Sequence, residues 1–304
     1  MTKLSIVVPV YNEESVLHEF MTRILKVMES LKNDYEFELI FSLDPSSDQT
    51  EAVLQGFCQA DPRIKYLKFS RRVGQPLATV AGIEHAEGEA CIIIDVDLQD
   101  PPELIPSMIE KWEAGYDVVL PQRRSRKGET WVKIFVSFLG YSLMNKITSI
   151  RIPREIGDFR LISRRVMEEL KKIKEHHGFL RGMVADIGFK QITLPYDREY
   201  RLKGRSKYNP FVGSLRIGLN SLVCYSTFLL SLSYLAGFGM IVASLLSLIA
   251  GLMGKHDLFF IVSLVLFVCG LQSVLMGILG EYVGRIYEEV RERPRYLIDK
   301  KVNF

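Results

Sequence analysis

The sequence predicts an α/β fold: a mostly parallel sheet with helices on both faces, followed by a two-helix transmembrane hairpin. Three observations carry this. Short apolar, β-branched runs alternate with helical patterns through the first half of the chain. Polar clusters fall just where those runs end. Two long stretches near the C-terminus, 217–254 and 258–280, carry no formal charge.

Taken in order, the strand candidates are 4–10 (LSIVVPV), 37–43, 64–69, 91–95 and 117–121. Helical patterns lie between them near 14–31, 47–59, 75–86 and 102–114. In open sheets of this kind ligands gather beyond the carboxyl ends of the strands. Tyr11, Asn12 and Glu13 follow the first strand, Asp44 the second, and Asp95 and Asp97 the fourth. That coincidence marks the candidate site.

Residues 131–147 repeat Trp131, Phe135, Phe138, Leu139 and Leu143 at helical spacing, which suits a core helix or an interfacial one. Residues 208–222 form a second interfacial candidate. Each charge-free stretch exceeds the roughly 20 residues that cross a bilayer core. The short loop Lys255, His256, Asp257 makes them a hairpin whose ends emerge on one side. Arg201, Lys203, Arg205, Lys207 and Arg216 precede it; Arg285, Arg291, Arg293, Arg295, Lys300 and Lys301 follow. The expected organisation is a catalytic domain over 1–215, a transmembrane hairpin over 225–283 and a basic tail over 284–304. By the positive-inside tendency, the expected place is a bacterial inner membrane, multi-pass, with the catalytic domain and both termini cytoplasmic. The opening TKLSIVVPVYNEE lacks the features of a signal peptide.

Cys58, Cys91, Cys224 and Cys269 show no metal-ligand spacing and suit reduced, packed thiols. A net charge of +3 is too small to argue for nucleic acid. Its concentration near the hairpin suits membrane lipids or a lipid phosphate. Gly237, Gly239, Gly277 and Gly280 suit helix packing within one chain or in a homo-oligomer.

In the segment CIIIDVDLQDPPE, Asp95 and Asp97 stand two apart, as strand side chains that share a face do. With the Gln99 amide oxygen they are hard donors suited to Mg²⁺ or Mn²⁺. Helix capping is the alternative use of such strand-end carboxylates. SIVVPVYNEE, DVDLQDPPE, GDFRL and the block Arg201–Lys207 (RLKGRSK), in that order, resemble family 2 glycosyltransferases, and among them the polyprenyl- and dolichyl-phosphate sugar synthases. The resemblance covers nearly the whole chain, including the hairpin and the tail GEYVGRIYEEVRERPRY.

The resemblance implies a GT-A, Rossmann-like fold, a divalent metal and inversion at the anomeric carbon. It implies that Pro9, Tyr11, Glu13 and Asp44 line the nucleotide's base and ribose. Asp95, Asp97 and Gln99 then match the metal and diphosphate site, and Arg123 and Arg126 match residues near the phosphates and the acceptor. Asp158 matches the carboxylate beside the reacting centre, for which a helix cap or an ion pair with Arg160 is the alternative. Arg201, Ser206 and Lys207 match a loop that closes over the donor phosphates. Asp158, Asp97 and Arg123 are thus the expected catalytic residues. Leu43 and Pro45 replace an acid and a glycine usual after the second strand, Ile156 stands where a small hydroxyl residue is common, and Asp186 stands where an aromatic often lies.

The expected activity is sugar transfer from a nucleotide-sugar donor, UDP-linked, to polyprenyl phosphate, for cell-envelope glycan or lipid modification. The rivals are a non-processive transferase acting on another lipid or glycan, and a non-catalytic membrane scaffold. A processive synthase would need more spans and a Q-x-x-R-W motif, which is absent from the sequence.

Overall fold

The computed structural model describes residues 1–124, 156–173, 180–197, 257–291 and 293–304. The expected interfacial helices, the stretch 217–254, and the site residues Arg126, Arg201, Ser206 and Lys207 lie outside the described residues.

The first half follows the expected alternation: β1 (Thr2–Val10), α1 (Glu14–Ser30), β2 (Tyr35–Leu43), α2 (Thr50–Ala60), β3 (Ile64–Phe69), α3 (Gln75–Glu84), β4 (Ala90–Ile93), a 3₁₀ turn (Pro102–Leu104), α4 (Ile105–Glu113) and β5 (Val118–Arg123). Then come β6 (Arg160–Ser163), α5 (Arg164–Lys172), α6 (Leu180–Ile187), β7 (Gln191–Tyr196), α7 (Asp257–Val290) and β8 (Ile298–Val302). One eight-stranded sheet has the order β7-β5-β6-β4-β1-β2-β3-β8. β1 pairs in parallel with β2 and β4, β2 with β3, and β5 with β7. β6 and β8 run against their neighbours.

Central strands are buried on both faces, so they read as continuous apolar runs. Ile6, Val8, Leu39, Phe41 and Ile92 pack with α1 residues Leu17, Phe20 and Ile24 in one layer. Val7, Ile40, Cys91 and Ile93 pack on the opposite face with Val166, Met167 and Met183. A mixed Rossmann-like sheet thus replaces open loops at its centre with β6, which inserts beside β4 and brings Gly157 and Asp158 to the tip of that strand.

Two expectations need correction. β4 ends at Ile93 rather than at residue 95, so Asp95 and Asp97 stand in the turn beyond it, and strand alternation does not set their directions. Residues 298–302, expected within a basic tail, form the sheet's edge strand against β3.

The expected membrane placement is also corrected. No helix among the described residues is long and apolar enough to cross a membrane. The apolar stretch 258–280 does not end at a boundary but continues as one helix, α7, through the ion pair Glu281–Arg285 at 2.9 Å. The multi-pass inner-membrane assignment, with its cytoplasmic termini, is withdrawn.

The chain divides into two compact units, one comprising residues 1–141, 150–210 and 294–304, the other 142–149 and 211–293.

Candidate active site

The carboxyl ends of β1, β2 and β4 carry the expected polar clusters. Pro9 is buried on β1 opposite Ser42, beyond the last β4 pairing at Val7, where its missing N–H costs the ladder nothing. Asn12 adopts a left-handed conformation, φ 52°, which asparagine tolerates better than most residues. Its backbone N–H donates to Ser46 Oγ at 3.0 Å and its Oδ1 accepts from Ser47 N–H at 2.7 Å. Glu13 N–H donates to Thr50 Oγ1 at 2.8 Å. The loops after β1 and β2 are therefore one bonded unit.

Asp44 is buried, and its two oxygens accept the N–H groups of Val73 and Gly74 at 2.8 and 2.9 Å. Gly74 has φ 84°, a conformation that favours glycine and turns its N–H toward that carboxylate. The loop so held places the Arg72 guanidinium 4.0 Å from the centre of the Tyr11 ring, a cation–π contact. Tyr11, Glu13 and Asp44 thus stand in bonded loops at the carboxyl ends of β1 and β2, and Arg72, which no motif marks, joins Tyr11 there.

Beyond β4, Gln75 Nε2 donates to Asp95 Oδ1 at 2.7 Å, and Gln99 N–H donates to Asp97 Oδ1 at 3.2 Å. Leu98 between them is left-handed, φ 57°, and wholly buried. Its side chain anchors a loop whose backbone is strained, a pattern that recurs at active sites. Burial, then the nearby carboxylates of Asp158, Asp97 and Asp100, push the Asp95 carboxyl well above the usual range. Concentrated negative charge of this kind is relieved by a divalent cation. Among the described residues no three of His, Cys, Asp and Glu cluster as a metal cage, so any cation here would rest on few protein ligands. Mg²⁺ and Mn²⁺ are commonly held by one or two carboxylates, with phosphate oxygens and water completing the shell. Asp95, Asp97 and Gln99 fit that role.

A second cluster adjoins the first. Asp100 is buried and accepts a hydrogen bond from Tyr196 Oη at the end of β7. Arg123 Nε donates to Tyr196 Oη at 3.3 Å, and its Nη2 lies 3.8 Å from Asp100. Asp158 is gripped by Arg181 from the first turn of α6, Nε to Oδ1 at 2.8 Å and Nη2 to Oδ2 at 3.2 Å. Arg160 is fully buried, bonds to the Gly157 and Asp158 carbonyls at 2.9 and 3.1 Å, and lies 3.7 Å from the Asp158 carboxylate. Burial alone would raise the Asp158 carboxyl; Arg181, with Arg160 and Arg123, reverses this and lowers it to about 2. Burial lowers Arg160 to about 10. Of the residues expected here, Asp158 and Arg123 converge; Arg181, Tyr196 and Gln75 are additions that no motif marks by spacing, and Asp100, inside DVDLQDPPE, carried no expected role.

Comparison with known proteins now bears on this arrangement. The family model "Glycosyl transferase family 2" matches residues 5–171. An uncharacterised glycosyltransferase of Bacillus subtilis, YkcC, is 41% identical over 97% of this chain and 93% of its own. The SfII prophage-derived bactoprenol glucosyl transferase of Shigella flexneri is 39% identical over 98% of both chains. Among solved structures, a Pyrobaculum calidifontis mannosyltransferase in complex with GDP-Man and Mn²⁺ is 19% identical, with a TM-score of 0.47 over 72% of this chain and 61% of its own. The chain is a glycosyltransferase and belongs to glycosyl transferase family 2.

Proposed function

We propose that this glycosyltransferase moves a sugar from a nucleotide-sugar, UDP-linked, to polyprenyl phosphate, with inversion at the anomeric carbon. The observation that carries the reading is the adjacency at the tip of β4: a carboxylate turn suited to a cation beside an arginine-rich corner suited to a phosphate. Relatives named bactoprenol glucosyl transferases, alike over nearly the full length, support the lipid acceptor.

A phosphate oxygen of the acceptor would bond to the anomeric carbon while the bond from that carbon to the nucleoside diphosphate breaks. Asp95, Asp97 and Gln99 would hold Mg²⁺ or Mn²⁺, which would offset charge growing on the departing diphosphate. Tyr11, Glu13 and Pro9 would receive the base and ribose, with Asp44 fixing the loop that carries Arg72. Arg201, Ser206 and Lys207 would close over the diphosphate, and Arg126 would join Arg123 at the acceptor. A phosphate monoester, with a second pKa of about 6, is largely ionised at neutral pH, so Asp158 need not accept its proton.

The test is a donor screen with purified protein, undecaprenyl phosphate and Mg²⁺ or Mn²⁺, reading lipid-linked sugar by mass. No product from any nucleotide-sugar overturns the reading. In the same assay Asp97→Asn should lower kcat by about 100-fold or more, as loss of transition-state charge stabilisation does, while the melting temperature changes little.

A further inference from the structure

Among the described residues, three guanidinium groups gather around the Asp158 carboxylate. Arg123, Arg160 and Arg181 face Asp158 and Asp100. Arg160 is fully buried and committed to the backbone carbonyls of Gly157 and Asp158, so it pins the corner and faces no ligand. Arg123 and Arg181 differ from it: their side chains are 24% and 27% exposed, enough to meet a bound molecule. They arrive from separate elements, β5 and α6, and are close enough to influence each other's charge. Each is held by a carboxylate, Asp100 at 3.8 Å for Arg123 and Asp158 in a two-point grip for Arg181. A phosphate reaching the exposed part of both guanidinium groups would be attracted by each of them. Arginine forks match phosphate oxygens in both geometry and charge.

We propose that Arg181 is a further arm of the acceptor-phosphate site, beside Arg123, and that Asp158 acts by holding Arg181 in place. The ligand class is a phosphate monoester, and the proposal rests on the transfer to polyprenyl phosphate argued above. On this assignment Asp158 is a positioning residue. Its carboxylate fixes the plane of the Arg181 guanidinium, while Tyr196 and Asp100 do the same for Arg123.

The experiment measures initial rates with the full chain, a productive nucleotide-sugar and undecaprenyl phosphate, varying each substrate in turn. Arg181→Gln should raise the KM for undecaprenyl phosphate by roughly tenfold or more, the loss expected for a charge-assisted hydrogen bond, and leave the KM for the nucleotide-sugar within about twofold. Arg181→Lys keeps the charge without the fork and should fall between. Asp158→Asn should raise the same KM, and the double variant Asp158→Asn, Arg181→Gln should add little beyond Arg181→Gln alone, since both changes remove one function. Inorganic phosphate, as a competitor against the lipid, should inhibit the wild type and lose potency in Arg181→Gln. An unchanged acceptor KM in Arg181→Gln, or equal losses for both substrates that track a fall in melting temperature, overturns the clamp. If Arg181→Gln does not fold, the Arg181→Lys result decides, and an acceptor KM equal to the wild type's overturns the clamp. A wild type that transfers nothing to the lipid overturns the function reading and the clamp together; active wild type with an indifferent Arg181 overturns the clamp alone.

Discussion

At Gly157 a single hydrogen in place of a side chain decides where Arg123 lies. A Cβ built there would stand 2.8 Å from the Arg123 Nη2. That atom is the end of a flexible side chain, so Gly157→Ala should fold and displace the guanidinium instead. We expect kcat/KM to fall by about 10–100-fold, the scale on which misplacement of about 1 Å acts, with little change in melting temperature. Leu98 shows the opposite economy: a buried side chain holds a left-handed backbone. Leu98→Ala should cost about 2–5 kcal/mol in urea-unfolding stability and reduce activity by loosening the Asp97 turn. Asp95, Asp97 and Asp158 were legible because they sit in compact motifs. The pairing of Tyr196 with Asp100 was not, although Asp100 lies inside DVDLQDPPE, because 96 residues separate them and only the sheet brings them together. Arg181 lies in FLRGMVADIGF, a segment singled out for Asp186, yet nothing in its spacing points at Asp158.

Among the elements, β1 and β2 were readable because strands buried on both faces carry mainly apolar residues, β3 because Ile64, Tyr66, Leu67 and Phe69 stand out between its lysines, and α1 to α4 filled the gaps between them. β6 and β7 were missed for physical reasons. β6 has four residues and enters antiparallel, so it lacks the strand-helix-strand rhythm. β7 is only partly covered and mixes polar with apolar residues. One polar device links the parallel strands. Glu38 on β2, 2% exposed, accepts bonds from Ser5 Oγ on β1 at 2.6 Å, Lys65 Nζ on β3 at 2.8 Å and the Glu87 N–H at 2.7 Å. Burial raises its carboxyl, but Lys65, Ser5 and the Glu87 N–H more than offset this and leave it lowered. A carboxyl lowered on folding stabilises fully above its unfolded value, about 4.3, and that contribution is lost as pH falls through its folded one. Glu38→Gln should therefore lower stability at pH 7 and flatten the acid limb of a stability-versus-pH curve below about pH 4. An acid limb as steep as the wild type's would remove this assignment.

Across the whole molecule, the chain's last described strand belongs to the same compact unit as its first. The order of sequence gave no hint of this, because IDKKV is charged and reads as tail. Lysines at the outermost strand of a sheet are nonetheless ordinary, since they discourage pairing with other chains. Arg295 pairs with Glu84 at 2.5 Å, Tyr296 bonds the same carboxylate, and Asn303 Nδ2 donates to the Cys58 and Ile64 carbonyls at 2.7 and 2.8 Å. Removing residues 294–304 should lower the melting temperature of the remaining chain by roughly 5–10 °C, at about 2–4 °C per kcal/mol for a domain of this size, as read by calorimetry. Glu84→Gln should reproduce part of that fall.

The attachment of β8 to β3 also sets a clock on biosynthesis. Ile64 must wait for Asn303, 239 residues later, which at ribosomal speeds is roughly 10–50 s. Throughout that interval the nascent β3 offers an unpaired ladder to any passing strand. A chaperone would have the most to contribute in that window, and a slow ribosome would lengthen it.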